Sequence, residues 1–482
     1  MTPQFLSDLA AIAGPAHVLT DPAAMLTYEC DALAHLRETP AAVVLPGSTE
    51  EIAAIVRLCA RDGVPFVARG HGTGLSGGAK PAAEGIVIAL SRLNRVLAID
   101  IANQRVTVEP GVTNLEISRQ VAPFGYYYAP DPSSQQVCSI GGNVAENSGG
   151  AHCLKYGFTT HHVLAVEAVL PDGQIVHLGG ELVDAPGPDL LGLVIGSEGT
   201  LAIVTSIIVR ILRRPEAVET LLAAFDTIDA GGAAVSDIIA AGIIPAAVEM
   251  MDRTAIRAAE AAVHPNFPDV DTILIVELDG PADEVTALFD EVQQIVRARG
   301  AVSIEVAASS EHRARIWRGR KAAFAAMGRV SPSYYVQDGV VPRSRLPEVL
   351  HRIRALEARS GLRIANVFHA GDGNLHPLIC YDDSVPGQTD LAASVASEIL
   401  TYCLDAGGSL SGEHGIGADK SAYMSSMFAE DDLAMMMRVR AAFDPHGLCN
   451  PRKLFPTPRL CGEVPGPYRQ HPAEAAGLAE RV

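Results

Sequence analysis

The chain has 482 residues, of which 48% are hydrophobic, and a formal net charge of −19. This length exceeds one ordinary core and predicts about two or three domains. Because 56 acidic side chains outnumber 37 basic ones, nucleic acid and anionic membrane surfaces are excluded as main partners. No Lys or Arg precedes Arg37, and no apolar run approaches the ~18 residues of a membrane-spanning helix, so we expect a cytoplasmic protein without a membrane span.

Eight cysteines are scattered along the sequence without a Cys-x-x-Cys pair. This spacing argues against a disulfide framework, a zinc ribbon and a self-contained iron–sulfur cluster. Any electrons that the protein handles therefore need another carrier.

Short β-rich runs alternate with helical stretches from Ala41 onward, which predicts a mixed α+β domain over residues 1–215. Pro215 ends the preceding element and marks the boundary. The strand and helix runs that follow predict a second α+β sheet domain, of split βαβ type, over 216–395. Helices dominate afterwards, so residues 396–482 are predicted to form a helical C-terminal segment.

A first glycine block, VARGHGTGLSGGA at 67–79, follows a predicted strand and contains the spacing GxGxxG. In a dinucleotide-binding βαβ unit a helix begins within these glycines, whereas here Lys80, Pro81 and a further strand follow. The Walker pattern also fails, because no Gly-Lys-Ser/Thr ends the loop. Two alternatives remain: a tightly turned surface loop, or an anion-binding loop of backbone N–H groups with Arg69 as counter-charge.

Two further glycine blocks favour the second alternative. The stretch PDPSSQQVCSIGGNVAENSGGAHCLKYG covers 130–157, and IGSEGTLAIVT covers 195–205. Glycines that permit close backbone approach, set among small polar side chains, suit the polar edge of a planar heterocycle and its ribityl chain. Three such blocks predict a long, extended ligand with phosphates.

In this order the three blocks resemble the FAD-binding domain of the vanillyl-alcohol oxidase (PCMH) type, which holds FAD on loops instead of on a Rossmann unit. Over nearly the whole chain the sequence resembles the FAD-linked 2-hydroxy-acid oxidases and dehydrogenases, most closely the glycolate oxidase group. The resemblance implies an α+β protein with a two-part loop-type FAD-binding domain, a ferredoxin-like substrate domain and a helical C-terminal segment. It implies FAD contacts from Arg69, Gly70, His71, Gly72, Thr73, Gly74, Leu75, Pro130, Ser133, Gly141, Gly142, Asn143, Asn147, Ser148, Gly149, Gly150, Tyr156, Glu198, Gly199, Ile203 and Asn450.

Some members of the family attach FAD covalently through a histidine of the first block. When the glycines are aligned, that histidine falls at Thr73 in this sequence. We therefore expect His71 to be a non-covalent contact and the FAD to be non-covalently bound.

The stretch NVFHAGDGNLHPLI contains His369 and His376. If Asp372 and Gly373 form a two-residue hairpin turn, the two histidines are direct cross-strand neighbours, about 5 Å apart at Cβ. A metal site needs at least three protein ligands, so this pair is incomplete. By itself the pattern also fits a polar turn with two solvated histidines.

The stretch SGEHGIG, 411–417, supplies the missing ligand type. Successive side chains of an extended segment point apart, so Glu413 can face a metal while His414 faces something else. Imidazole with carboxylate suits Zn or Mn. The whole pattern HxGDGNxH … GEHG also matches the family, and the resemblance implies a divalent metal on His369, His376 and Glu413, with His414 as the base that deprotonates the substrate.

The only tryptophan lies in the basic stretch RIWRGRKAAFAAMGR, in which the resemblance assigns Arg320 to the substrate carboxylate. We expect Arg318 and Lys321 to be solvated. Relatives that act on hydroxyglutarate carry Lys and Asn where this sequence has Val336 and Leu378, so a second carboxylate would lack partners. The substrate is predicted to be a small 2-hydroxy acid with one carboxylate.

The resemblance thus implies oxidation of glycolate, or of D-lactate, to the 2-oxo acid, with hydride transfer to the flavin. Electrons would pass to partner subunits that contain FAD and iron–sulfur clusters, and any membrane association would occur through these partners. One alternative is a D-lactate dehydrogenase with a cytochrome or quinone acceptor. Two others are a zinc-dependent hydrolase, which leaves the glycine blocks unexplained, and a catalytically silent FAD-binding subunit.

Overall fold

The structure is a computed structural model that describes residues 1–182 and 186–456. The N-terminal part of the chain forms a small four-stranded sheet. Helix α3 shows how the sequence sets the ends of a helix. The hydroxyl of Ser48, the residue before the helix, accepts a hydrogen bond from the Glu51 N–H, and Gly63 ends the helix with a positive φ. The strands are β1 (Val18–Leu19), β2 (Ala42–Val44), β3 (Phe66–Arg69) and β4 (Ile86–Ala89), in the order β1-β2-β4-β3, with helices α1 (Pro3–Ala13), α2 (Pro22–Met25) and α3 (Thr49–Asp62).

A second, antiparallel sheet follows in the chain, with the strand order β5-β6-β10-β8-β9. Strand β10 alternates buried and half-buried side chains, as expected for a sheet with one covered face. The strands are β5 (Val96–Asp100), β6 (Arg105–Val108), β8 (Val163–Val169), β9 (Ile175–Gly179) and β10 (Ile203–Arg210), while β7 (Tyr126–Tyr127) pairs with β11 (Leu212–Arg213). The helices are α4 (Asn114–Val121), α5 (Ile140–Glu146), α6 (Cys153–Tyr156) and α7 (Leu190–Val194).

A nine-stranded sheet contains every strand from β12 onward. Its first four strands have the order β15-β12-β14-β13, with α8 and α10 in the connections, which confirms the predicted α+β substrate part of split βαβ type. The strands are β12 (Ala217–Phe225), β13 (Ala247–Asp252), β14 (Thr272–Gly280), β15 (Ser303–Val306), β16 (Ser333–Val336), β17 (Gly339–Val340), β18 (Ile364–His369), β19 (Asn374–Leu375) and β20 (Pro377–Tyr381). The helices are α8 (Ile228–Ala240), α9 (Arg253–Val263), α10 (Ala282–Ala298), α11 (Ser310–Ala326) and α12 (Leu346–Ser360).

The last described part is helical, and the chain then returns to the first sheet. There the backbone of Cys449 forms an isolated parallel β-bridge with Phe66. Its helices are α13 (Gln388–Asp405), α14 (Met424–Met427) and α15 (Glu430–Phe443). Short 3-10 turns lie at Pro15–His17, Leu26–Tyr28, Ala122–Phe124, Thr159–His161, Met327–Arg329, Arg343–Arg345 and Ser421–Tyr423. The division into domains at residues 215 and 395 stays a prediction. The end of the third predicted segment, residue 482, lies outside the described residues. Across 1–182 and 186–456, no helix has the length and apolar character needed to cross a bilayer.

Candidate active site

A cavity of about 920 Å³ is lined by all three glycine blocks together with Phe324, Tyr334 and His414. Its size lies within the usual range for pockets that bind cofactors. Most of the residues predicted to contact FAD line it: Arg69, Gly70, His71, Gly72, Thr73, Gly74, Leu75, Ser133, Gly141, Gly142, Asn143, Ser148, Gly149, Glu198, Gly199, Ile203 and Asn450. The fold thus brings these separate stretches of sequence to one extended concave surface.

The glycines allow the blocks to pack against each other. A Cβ on Gly70 would overlap the Ser139 hydroxyl, and a Cβ on Gly149 would lie 2.8 Å from Glu413 Oε2. Such distances are too short for real side chains, so a Cβ at either position would displace a neighbouring side chain, and glycine permits the close approach. Gly149 in particular brings the second block against the segment that carries the predicted base.

Four predicted FAD contacts are not part of the cavity lining: Pro130, Asn147, Gly150 and Tyr156. Asn147 adopts a left-handed conformation with φ 51 and ends α5. The Tyr156 hydroxyl donates to Asp279 Oδ2 at 2.7 Å. These two residues therefore shape and anchor the second block from behind.

Arg69 lines the cavity, but its guanidinium is engaged elsewhere. It donates to the carbonyls of Cys30 at 2.7 Å and Thr27 at 3.1 Å. The counter-charge role predicted for Arg69 is therefore not favoured by this geometry. His71 is also held by the backbone, because its Nδ1 lies 2.5 Å from the Val137 carbonyl.

The register predicted for the histidine hairpin is wrong. His369 pairs with Asn374, and the Val367 N–H points to the His376 carbonyl. A four-residue loop therefore separates His369 from its partner, instead of the two-residue turn at Asp372 and Gly373. The pairing shifts by two residues, which preserves the face of every side chain, so the two imidazoles still meet, with ring centroids 5.1 Å apart.

Glu413 lies between these two histidines. Its Oε1 is 3.0 Å from His376 Nε2 and 3.4 Å from His369 Nε2. Both nitrogens are buried and lack a hydrogen-bond partner with suitable geometry. One oxygen and two nitrogens that converge without satisfying one another fit the donor set of a divalent metal. We call His369, His376 and Glu413 the acid–histidine cluster.

A buried carboxylate that the sequence analysis missed, Glu249 on β13, supports this cluster from behind. Its Oε1 lies 2.7 Å from His369 Nδ1, and its Oε2 accepts a 2.6 Å hydrogen bond from Arg320 Nε. The first contact places a proton on Nδ1, so a metal ion, when bound, would be held through Nε2, which faces Glu413. Burial alone would lower the pKa of His369, but the two carboxylates raise it well above its ordinary value.

Arg320 is placed by the structure beside the cluster and not in the cavity lining. Its side chain is 2% exposed and forms an ion pair with Glu249. Its Nη2 nevertheless lacks a hydrogen-bond partner of suitable geometry. Lys321, which we expected to be solvated, is exposed but lines the cavity.

Asp338 is a second buried carboxylate that the sequence analysis missed. It accepts the Ser411 hydroxyl at 2.5 Å and the backbone N–H of Gly412 and His414 at 3.0 Å each. Burial would raise the pKa of Asp338, but the Lys420 ammonium overcomes this and holds the pKa well below its usual range. Asp338 therefore fixes the backbone of the turn that presents Glu413 and His414.

His414 faces the cavity, and its ring stacks on His376 with centroids 4.9 Å apart and an angle of 12°. Burial lowers its pKa to about 4, so the imidazole is neutral near pH 7. Its Nδ1 is buried without a hydrogen-bond partner. A neutral imidazole in this position can accept a proton from a ligand in the cavity.

One sequence signal could have found both missed carboxylates. Glu249 lies alone in the apolar run IPAAVEMM, and Asp338 lies in YYVQDGVV. A lone acid in a buried strand requires a charged or hydrogen-bonding partner. This signal indicates a buried polar network. It does not identify the partners of the two carboxylates, because these come from distant parts of the chain.

Comparisons with known proteins agree with this geometry. The family described as FAD linked oxidases, C-terminal domain matches residues 214–454, and the FAD binding domain family matches 40–179. The glycolate oxidase subunit GlcD of Escherichia coli K12 is 48% identical, over 93% of this chain and 90% of that protein. A D-lactate dehydrogenase of Anaerostipes hadrus is 31% identical, over 94% of this chain and 98% of that protein.

The fold likewise has solved counterparts. The structure of p-cresol methylhydroxylase with substrate bound has a TM-score of 0.79 at 15% identity, covering 94% of this chain and 96% of that chain. This likeness confirms the predicted PCMH-type fold. With both family matches and the long alignments to its relatives, the chain belongs to the FAD-linked oxidases.

Proposed function

We propose that the protein oxidises a small 2-hydroxy acid, with glycolate as the first candidate and D-lactate as the second, to the 2-oxo acid. The observation that carries the proposal is the position of His414, which faces the cavity directly beside the acid–histidine cluster. FAD, when bound, supplies the acceptor for the hydride of the substrate's α-carbon. The relatives named as glycolate oxidase subunit and D-lactate dehydrogenase support this choice of substrate.

FAD is proposed to lie along the three glycine blocks without a covalent link. The first block places Thr73 in the lining, and a threonine has no imidazole to bond to the flavin. His71 is held at the Val137 carbonyl. Acid precipitation tests this point: the yellow colour is expected in the supernatant, and colour retained in the pellet would contradict it.

His414 is proposed to take the proton of the substrate's α-hydroxyl. The hydrogen bonds from the Gly412 and His414 N–H groups to Asp338 fix the turn, so the imidazole does not need to reorganise when it accepts the proton. Burial keeps the imidazole unprotonated near pH 7 and thus able to accept a proton, while its lowered pKa makes it a weaker base than a free imidazole.

His369, His376 and Glu413 are proposed to hold one divalent metal, Zn or Mn. When bound, such an ion acts as a Lewis acid that lowers the pKa of the substrate hydroxyl. Metal analysis of the purified protein tests this without an activity assay. We expect close to one ion per chain in the wild type and a large loss in Glu413→Gln, whereas a metal-free wild type after growth with Zn and Mn would overturn the assignment.

Arg320 is proposed to bind the substrate carboxylate. Glu249 Oε2 lies 2.6 Å from both Nε and Nη2, and only the Nε contact is a hydrogen bond of good geometry, so the remaining N–H groups of the guanidinium are proposed to serve the substrate. Because Glu249 is shared between Arg320 and His369, an anionic group next to the guanidinium would improve its charge compensation.

The proposed small size of the substrate rests on two apolar residues at the cavity. Val336 lines the cavity and pairs with Leu378 across strands β16 and β20, and both side chains are buried. Neither can hydrogen-bond a second carboxylate, which would lose its hydration without compensation. Glycolate and D-lactate differ by one methyl group, worth only about 1–3 kcal/mol in such a pocket.

Electrons are proposed to leave the flavin for partner subunits that contain FAD and iron–sulfur clusters. The relatives named as glycolate oxidase subunits support an assembly of several chains. The sequence itself lacks a Cys-x-x-Cys pair that could hold a cluster. We propose a cytoplasmic location, with any membrane contact made through the partners.

The function is tested by turnover with an artificial dye acceptor and chemical trapping of the product. Glycolate, D-lactate, L-lactate and D-2-hydroxyglutarate are supplied separately. We expect dye reduction and a trapped 2-oxo acid with glycolate or D-lactate and little with the dicarboxylate. Turnover confined to D-2-hydroxyglutarate would contradict the size argument from Val336 and Leu378.

A further inference from the structure

A half-buried polar group connects the second glycine block to the substrate part of the protein. It consists of Asp131 and His152 from that block, Glu277 from β14 and Trp317 from α11, and we call these four residues the cross-domain bridge. Gly150 permits the packing inside the block, because a Cβ there would lie 2.5 Å from the Asp131 carbonyl oxygen. Neither the FAD contacts nor the acid–histidine cluster includes any of the four.

Both ring nitrogens of His152 face carboxylates. Nδ1 lies 2.9 Å from Asp131 Oδ2, and Nε2 lies 3.1 Å from Glu277 Oε1. Ionised carboxylates only accept hydrogen bonds, so both nitrogens must carry a hydrogen and the ring is an imidazolium. The group thus places one positive charge between two negative ones, with the Lys321 ammonium also acting on Asp131.

Trp317 is fixed by the same bridge. Its Nε1 donates to Glu277 Oε2 at 2.6 Å, and its indole stacks on the His152 ring with centroids 5.6 Å apart. The Thr220 hydroxyl donates to the same oxygen at 2.6 Å. Glu277 therefore has both oxygens occupied, and its orientation is set from both sides.

Arg320 follows Trp317 by three residues on α11, so the two side chains project from neighbouring positions of one helix face. A displacement of α11 that follows loss of the Trp317 contacts would therefore carry Arg320 with it. A second pair of contacts closes the same seam, because Lys155 Nζ lies 2.5 Å from Asp279 Oδ1 and the Tyr156 hydroxyl lies 2.7 Å from Asp279 Oδ2. These contacts hold the block to β14, whereas only the bridge reaches α11 among the contacts described.

We infer that His152 is a positioning residue for the reaction. As an imidazolium between Asp131 and Glu277 it fixes Trp317, and through α11 it sets the place of Arg320 relative to the second glycine block. The inference rests on the proposed role of Arg320 at the substrate carboxylate. A misplacement of Arg320 weakens a contact made in the ground state and the transition state alike, which changes KM more than kcat.

The kinetic test uses the FAD-loaded protein and the variant His152→Gln. His351→Gln is the control: His351 also faces a carboxylate, with Nε2 2.9 Å from Asp229 Oδ1, but it lies on α12 instead of α11. We expect KM for the hydroxy acid to rise about tenfold in His152→Gln with kcat within about twofold, and no change in the control. A fall in kcat at unchanged KM, or an equal effect in the control, would overturn the inference.

Fluorescence provides a readout that is independent of turnover. Trp317 is the only tryptophan of the chain, and a stacked imidazolium quenches indole emission. At equal FAD content, His152→Gln is expected to emit more strongly than the wild type, and His351→Gln to match the wild type. Unchanged emission in His152→Gln would contradict a stacked imidazolium.

Arg320→Lys separates this inference from the function it rests on. If KM is unchanged in Arg320→Lys, the carboxylate role falls and the inference falls with it. If KM rises in Arg320→Lys but stays unchanged in His152→Gln, only the inference is overturned. A rise in both variants, with the emission change confined to His152→Gln, supports both.

Discussion

The glycine-lined cavity and the acid–histidine cluster are adjacent in the fold but are built in opposite ways. The cavity wall depends on its glycines, since a side chain at Gly70 would overlap the Ser139 hydroxyl and one at Gly149 would overlap Glu413 and Phe158. The cluster consists of buried charged groups. Glu249 and Asp338, behind the cluster, orient His369 and the turn that carries Glu413 and His414. Shape therefore governs the first region, and charge compensation governs the second.

This difference determines how each region fails. Added atoms damage the cavity wall because the neighbouring side chains must shift to make room for them. Deleted or neutralised groups damage the cluster because a buried charge is left without a partner. Substitutions in the two regions should thus separate loss of FAD from loss of turnover.

The largest expected effect is that of His414→Ala. Loss of the proposed base should lower kcat/KM by about 10²- to 10⁴-fold without loss of FAD, because the alanine removes atoms from the cavity. Steady-state turnover and the flavin absorbance per protein measure the two effects. His446→Ala, at an exposed position, is the control. A variant that keeps most of its activity would show that the base is another residue.

Glu249→Gln probes charge compensation behind the cluster. The substitution keeps the shape but leaves Arg320 and His369 with a neutral partner. We expect the free energy of unfolding to fall by about 3–5 kcal/mol, measured by urea unfolding. Glu348→Gln, at an exposed ion pair with Arg352, should change it by less than about 1 kcal/mol. Equal effects of the two would contradict a buried, coupled network.

His162 extends the comparison to a neutral histidine in the flavin part. It is buried, with Nε2 2.8 Å from the Tyr156 carbonyl, and burial lowers its pKa to about 4 from an ordinary 6.5. The folded protein therefore binds fewer protons than the unfolded chain between these values, so the stabilisation is present above pH 6.5 and is lost as the pH falls through 4.

From pH 7 to pH 5 we expect His162 to account for a loss of about 2 kcal/mol in the free energy of unfolding. His162→Gln should lack this part of the loss, whereas His177→Gln, at an exposed histidine, should keep it. Urea unfolding at the two pH values measures it. Identical pH dependence in His162→Gln and the wild type would contradict the assignment.

Gly70→Ala tests the shape rule with the smallest change. The new Cβ would overlap the Ser139 hydroxyl, which must then turn away from its hydrogen bond with the Gly142 N–H at the start of α5. We expect FAD affinity to fall by about 10- to 100-fold, from about 1–3 kcal/mol of overpacking, measured by titration of the apoprotein. Gly180→Ala, where a Cβ meets open space, is the control. Unchanged affinity in Gly70→Ala would show that the wall adapts.

Local patterns predicted the parts of this molecule that local chemistry determines. The glycine spacing followed by Lys80 and Pro81 excluded a Rossmann unit, and the strand runs indicated the α+β class. The hairpin register was missed because the loop after His369 has four residues, which Asp372-Gly373 does not specify. Glu249, Asp338 and the occupied guanidinium of Arg69 were missed because their partners are distant in the sequence and close only after folding.

The most direct test of the proposed chemistry is an anaerobic visible spectrum of the purified protein before and after each of glycolate, D-lactate, L-lactate and D-2-hydroxyglutarate. It tests both regions at once. The cavity must bind the flavin that gives the absorption band, and the acid–histidine cluster with His414 and Arg320 must support the reaction that bleaches this band. We predict a flavin spectrum that glycolate or D-lactate bleaches and that L-lactate leaves unchanged. A flavin spectrum that none of the four acids alters would contradict the proposed oxidation of 2-hydroxy acids.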